Sequence, residues 1–199
     1  MAAKKKLKSG PKQYHLRVEL QGIEPPVWRS IWVEDQMSLG QLHHILQAAM
    51  GWTDAHLHEF TVDGRAYAIP HPEDDPKRPL IDERKIRLGD ILTVGLCFDY
   101  HYDFGDNWHH TIQVEEVLPL DQPNGSGYVE AGERACPPED CGGAGCYQDY
   151  LELRDEEPDC EEVASFLQWA GEDFDPNRFD RHAANAALQR MAWNRWGIQ

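Results

Sequence analysis

The sequence is short of positive charge: Lys and Arg number 19 against 35 Asp and Glu over 199 residues, a formal net charge of -16. Nucleic-acid binding draws on basic residues that displace counterions from phosphates, so the deficit argues against a direct nucleic-acid partner. The imbalance is concentrated, with seventeen acidic residues and three basic ones from Asp121 to Asp180. Such a field keeps a surface solvated or offers itself to a basic protein partner. Also missing is any apolar run near the roughly eighteen residues of a membrane span, so no membrane association is expected. The opening Met1 to Pro11 carries Lys4, Lys5, Lys6 and Lys8 without the apolar stretch of a secretory signal, and a cytoplasmic location is expected. Enzyme signatures are absent too: no P-loop, no dinucleotide Gly fingerprint, no GxSxG elbow and no HExxH helix. Asp103-Phe104-Gly105 spells the kinase metal-binding triplet, but neither a Gly-rich loop nor a lysine strand accompanies it.

Cysteines are few, five in all, an odd count in a chain expected to meet a reducing compartment. Free thiols or metal ligands are the options. Cys97 sits in an apolar run as a small core residue and Cys160 opens an acidic helix, so only Cys136, Cys141 and Cys146 form a cluster.

Apolar and aromatic residues suffice for one core, and a single domain over residues 14–199 is expected after a disordered basic lead-in over 1–13. Tyr14 to Leu20 and Val27 to Val33 read as antiparallel strands joined across Gly22 and Pro25-Pro26. Ser38-Leu39-Gly40-Gln41 is a capping box, followed by a stripe of Leu42, Ile45, Leu46 and Ala49 and a left-handed stop at Gly51. His58 to Val62 is a further strand, and Pro70 to Pro79 a loop. Leu92 to Phe104 and Trp108 to Leu118 form a hairpin at or near the sheet centre. A three-residue loop there sets Tyr100 opposite Ile112 and Phe98 opposite Val114, with Asn107 left-handed. Pro119 to Gly145 reads as loop; helices follow at Tyr147 to Arg154, after a cap at Asp159-Cys160-Glu161-Glu162, and from about Asp180 to Trp196, making 147–199 a helical segment. This order predicts an α+β fold, a mixed or antiparallel sheet in a β-grasp-like roll with one packed helix.

Five ordered motifs carry a family resemblance: Pro25-Pro26-Val27-Trp28-Arg29; Gly51-Trp52 through His56-Leu57-His58-Glu59-Phe60; Tyr102-Asp103-Phe104-Gly105-Asp106-Asn107-Trp108 with His110; Cys136-Pro137-Pro138-Glu139-Asp140-Cys141-Gly142-Gly143; and Phe174-Asp175-Pro176 to Phe179-Asp180. Together they resemble the plasmid pRiA4b ORF-3-like family from about Tyr14 onward. The resemblance implies a bacterial or archaeal protein of uncharacterised molecular function, in a group some of whose members travel with plasmids or insertion elements. It implies no mechanism. Cys146 departs from the pattern, since the family places Gly directly before Tyr147.

The best functional constellation is His56 and His58 before one strand, Asp103 and Asp106 at the hairpin tip, His109 and His110 beyond it, and Cys136 with Cys141 in the following loop. Trp108, Glu139 and Asp140 share these motifs and complete the binding or structural focus. Imidazoles, carboxylates and thiolates bind zinc or another divalent metal, with His58, Asp103, His110, Cys136 and Cys141 as the ligand candidates. The rival reading is a structural Asp–His hydrogen-bond network with turn-capping carboxylates. Two function classes follow: a binding or adaptor module engaging a protein partner, which the missing catalytic motifs favour, and a metal-dependent enzyme with its site at the hairpin tip.

Overall fold

The computed structural model describes residues 10–194. Alternating apolar residues make β1 (Lys12–Leu20) and β2 (Val27–Glu34) half-buried partners, with Leu16 opposite Ile31 and Leu20 opposite Val27. β1 begins inside the expected lead-in, so Lys12 and Gln13 belong to the sheet; residues 1–9 of that lead-in lie outside the described residues. The Ser38 capping box forms as the sequence predicts and starts α1 (Leu39–Met50), which Gly51 ends at φ 95°.

The remaining elements are β3 (His58–Val62), β4 (Arg65–Ala68), β5 (Ile81–Asp82), a 3-10 turn (Glu83–Lys85) and the short α2 (Leu88–Ile91). Then come β6 (Cys97–Tyr102), β7 (Trp108–Pro119), β8 (Tyr128–Glu133), α3 (Gly143–Glu156), α4 (Glu161–Ala170) and α5 (Arg181–Trp193). The fold is α+β, and its eight-stranded mixed sheet runs β5-β4-β3-β6-β7-β1-β2-β8, antiparallel except for β4 with β5. The β6–β7 hairpin is central, as expected.

Its register differs from the expectation. Tyr100 faces His110 and Phe98 faces Ile112, so five residues, Asp103 to Asn107, make the turn. Asn107 is left-handed at φ 61°, but so is Asp103 at φ 54°, and the Asn107 amide donates to the Asp103 carbonyl. A shift of two keeps every side chain on its face, so the apolar pattern could not separate the two registers. Three further differences are local. β8 lies within the stretch expected to be loop, because its Val129 alone is buried among polar neighbours. α3 begins four residues before Tyr147. The N-cap of α4 is Cys160, with no side-chain cap bond, so Asp159 does not cap it. The last expected helical residues, beyond 194, lie outside the described residues.

The core forms between α1 and one face of the sheet, where Leu39, Leu42 and Leu46 join Leu16, Phe60, Tyr100 and Ile112. The loop leading to α3 docks on the hairpin tip: the Gly142 amide donates to Asp106 Oδ2 at 3.1 Å. Gly143 is left-handed at φ 84°, and a Cβ there would collide with the Asp106 carbonyl, so only glycine allows this approach.

Candidate functional site

A cleft of about 620 Å³ opens between the start of α1, the segment entering β3 and the 3-10 turn. Two imidazole–carboxylate pairs build its wall. The Asp54 amide donates to Gln47 Oε1 at 3.0 Å, which orients that side-chain amide and leaves Gln47 Nε2 to donate to the Tyr100 hydroxyl at 3.0 Å. The hydroxyl proton then goes to His43 Nδ1, 2.8 Å away. His43 therefore carries its proton on Nε2 and donates it to Asp54 Oδ1 at 2.7 Å. Burial drives the His43 pKa down to about 4 against the opposing bond to Asp54, so the ring is neutral near pH 7. Burial raises Asp54, but donation from His43 and His44 holds its carboxyl well below the usual range.

The second pair is His58 with Glu83: His58 Nε2 lies 3.0 and 2.9 Å from the two carboxylate oxygens, and Glu83 is 1% exposed. The His43 and His58 rings stack at 3.5 Å with 5° between their planes. Arg84, Lys85 and Arg87 also line the cleft. Arg84 and Lys85 are tied to Asp82, whereas Arg87 has no ion pair among the described residues.

A second group lies at the hairpin tip, bordering the same cleft through His56. His58 pairs with Tyr102 across β3 and β6, and the Asp103 amide donates to the Leu57 carbonyl at 2.9 Å, so His56 and Asp103 are brought together by backbone pairing. Asp140 arrives from the loop before α3. Its neighbour Glu139 anchors that loop by accepting from the Thr53 amide at 3.1 Å, the Thr53 hydroxyl at 2.5 Å and the Tyr102 hydroxyl.

The sequence-expected residues thus divide. Asp103 and Asp140 meet, with His56 rather than His58 as their imidazole. His58 turns to Glu83. Asp106 bonds the Gly142 amide and Glu139 bonds Thr53 and Tyr102, both positioning the loop. Trp108 and His110 are fully buried, Trp108 beside Trp52. His110 Nδ1 reaches the Tyr100 carbonyl at 3.3 Å, and burial pushes its pKa down to about 3. Neither His110, Cys136 nor Cys141 belongs to a group of three ligand atoms within 4.8 Å among the described residues. Cys136 is buried beside Arg29, its thiol pushed up by burial, and burial raises Cys141 to about 12.

Sequence reading missed His43, His44, Asp54 and Glu83. Its available signal was a polar pair, His43 and Gln47, one turn apart beside the apolar stripe of α1. Asp54 and Glu83 carried none, because only the tertiary fold brings them to that helix.

A family model described as "Plasmid pRiA4b ORF-3-like protein" matches residues 12–183. An "Uncharacterized protein y4hQ" of Sinorhizobium fredii (strain NBRC 101917 / NGR234) is 37% identical over 182 residues, which cover 89% of this chain and 91% of that one. The crystal structure of a "Protein of Unknown Function MM3350 from Methanosarcina mazei Go1" superposes with a TM-score of 0.76 at 35% identity, covering 87% of this chain and 98% of that chain.

Proposed function

Since the chain belongs to the plasmid pRiA4b ORF-3-like family, whose matched relatives are described as uncharacterised or of unknown function, we propose from the geometry that it is a binding module for a small polar ligand held in the α1–β3 cleft. One observation carries this reading: the stacked His43–Asp54 and His58–Glu83 pairs in the cleft wall. Burying the Glu83 carboxylate costs several kcal/mol unless it is paired, and an apolar pair of similar volume would serve the fold as well. A pair with displaced pKa values, as His43 and Asp54 are, in a concavity of this size marks a candidate ligand site.

The chemistry of the walls describes the occupant. With His58 Nε2 engaged by Glu83, its Nδ1 is the ring nitrogen left over, and Asp54, which also lines the cleft, offers an acceptor. Arg87 and the tethered Arg84 and Lys85 supply positive charge in the same cleft. A molecule carrying both amine or hydroxyl donors and an anionic group matches this lining. Five free cysteines fit the reducing cytoplasm in which we place the protein. No helix among the described residues is long and apolar enough to cross a membrane.

The test is a calorimetric screen of amino acids, hydroxy acids and nucleotides against the wild type and the Asp54→Asn and Arg87→Ala variants. We expect a hit that shifts the His43 and His58 ring resonances and weakens about tenfold or more in Asp54→Asn, the loss of roughly 1.4 kcal/mol of binding. Hits indifferent to both variants would overturn the reading. A second reading, docking of a protein partner, is favoured by Trp169 and Trp193, 53% and 89% exposed on α4 and α5. It predicts a complex weakened by Trp169→Ala and untouched by Asp54→Asn.

A further inference from the structure

We propose that His56, Asp103 and Asp140 bind one divalent first-row transition-metal ion at the hairpin tip. Their ligand atoms lie within 4.8 Å of one another, and the two carboxylates are positioned by bonds to groups outside the trio. The Asp103 amide donates to the Leu57 carbonyl, while its own carbonyl accepts from the Asn107 amide and its Oδ1 from the Gly105 amide at 2.9 Å. That leaves Oδ2 directed at His56 Nε2, 3.7 Å away, on a residue only 6% exposed. Asp140 is fixed by its neighbours, since Glu139 is bonded to Thr53 and Tyr102 and the Gly142 amide to Asp106. Asp103 and Asp140 both hold left-handed backbone, at φ 54° and 60°.

His56 Nε2 is buried and makes no hydrogen bond, although Asp140 Oδ1 is only 3.2 Å from it. A structural His–Asp pair would align the ring N–H with an oxygen, as His43 and His58 do. Here distance without alignment leaves the buried His56 nitrogen without a partner beside a nearly buried carboxylate, a costly arrangement that one metal ion removes. One nitrogen and two carboxylates neutralise a divalent charge and suit zinc, manganese or iron(II) better than soft thiophilic ions. Three protein ligands would leave coordination positions open, and His56 also lines the cleft.

The other His/Asp group, His43 with His44 and Asp54, has comparable spacing but different chemistry. A metal on His43 Nε2 would need that ring's proton on Nδ1, where the oriented Gln47–Tyr100 chain already delivers the hydroxyl proton. That group is complete as a hydrogen-bond network. The inference therefore assigns one ion, not two, and it stands whether or not the cleft binds an organic ligand.

The experiment titrates zinc and manganese into chelator-stripped full-length protein by calorimetry, with metal content of the untreated protein measured alongside. We expect one equivalent bound, a loss of at least about tenfold in affinity for Asp140→Asn and for His56→Gln, and no change for Cys141→Ser. Asp140 has a side chain 70% exposed, so its variant should fold, and melting curves check that it does. Absence of binding by either metal would overturn the proposal. So would binding that survives both ligand variants, or that is lost in Cys141→Ser instead.

Discussion

Tyr100 decides the chemistry of His43 through a single proton. Because the Asp54 amide orients Gln47, and Gln47 donates to the hydroxyl, the tyrosine must donate to Nδ1 and His43 must present Nε2–H. His110 is the contrasting case, an imidazole in the core with Nε2 buried and unpartnered. Burial lowers its pKa from 6.5 to about 3, so the unfolded chain takes up the proton first as pH falls. Its contribution to stability is complete above pH 6.5 and is lost on acidification toward pH 3, at about 1.4 kcal/mol per pH unit. Urea unfolding of wild type and His110→Phe between pH 7 and 5 checks this. The variant should lose less stability over that range, and parallel declines would show that His110 does not drive the acid sensitivity. The sequence marked His110 as a site residue because of its neighbours, but its position opposite Tyr100 on the covered face makes it a core residue.

At the scale of elements, α5 guards the outer strand of the sheet. Asn185 accepts from the Val129 amide at 2.9 Å and donates to the Val129 carbonyl at 2.8 Å, so one side chain occupies the outward groups of that residue on β8. Arg181 adds a bond to the Glu130 carbonyl at 3.1 Å. An uncovered edge is a template for pairing with another chain. Asn185→Ala should cost about 1–3 kcal/mol in chemical unfolding and raise self-association in sedimentation. An unchanged monomer of unchanged stability would mean that the edge is protected by other means. β8 was illegible in the sequence because an edge strand lined by Gly, Glu and Tyr has no two-sided apolar pattern. By contrast, the Ser38 box and the stripe of α1 were legible because both signals are local. The hairpin fell between these cases: its strands were plain, but the turn length depended on Asp103 and Asn107 both adopting left-handed backbone.

For the whole molecule, the charge of -16 sets what approaches it. Protein lacking the lysine-rich residues 1–9 should show no duplex DNA binding by fluorescence anisotropy at physiological salt. A tight complex that weakens steeply with added salt would contradict this. Composition and local pattern determined the α+β class, the central hairpin, the capped helix and the acidic surface, because each depends on residues close in sequence or on a sum over the chain. They also marked the hairpin tip as a candidate focus, with Asp103 and Asp106 at the turn and Asp140 in the loop that follows. Only the tertiary structure decided which imidazole joins those carboxylates, since His56 and His58 are two residues apart and the β3–β6 pairing sends one to Asp103 and the other to Glu83. It alone placed Glu83 beside α1 and turned Asp54, just past the end of that helix, back onto His43, because such contacts are set by how the chain packs and no local pattern encodes them.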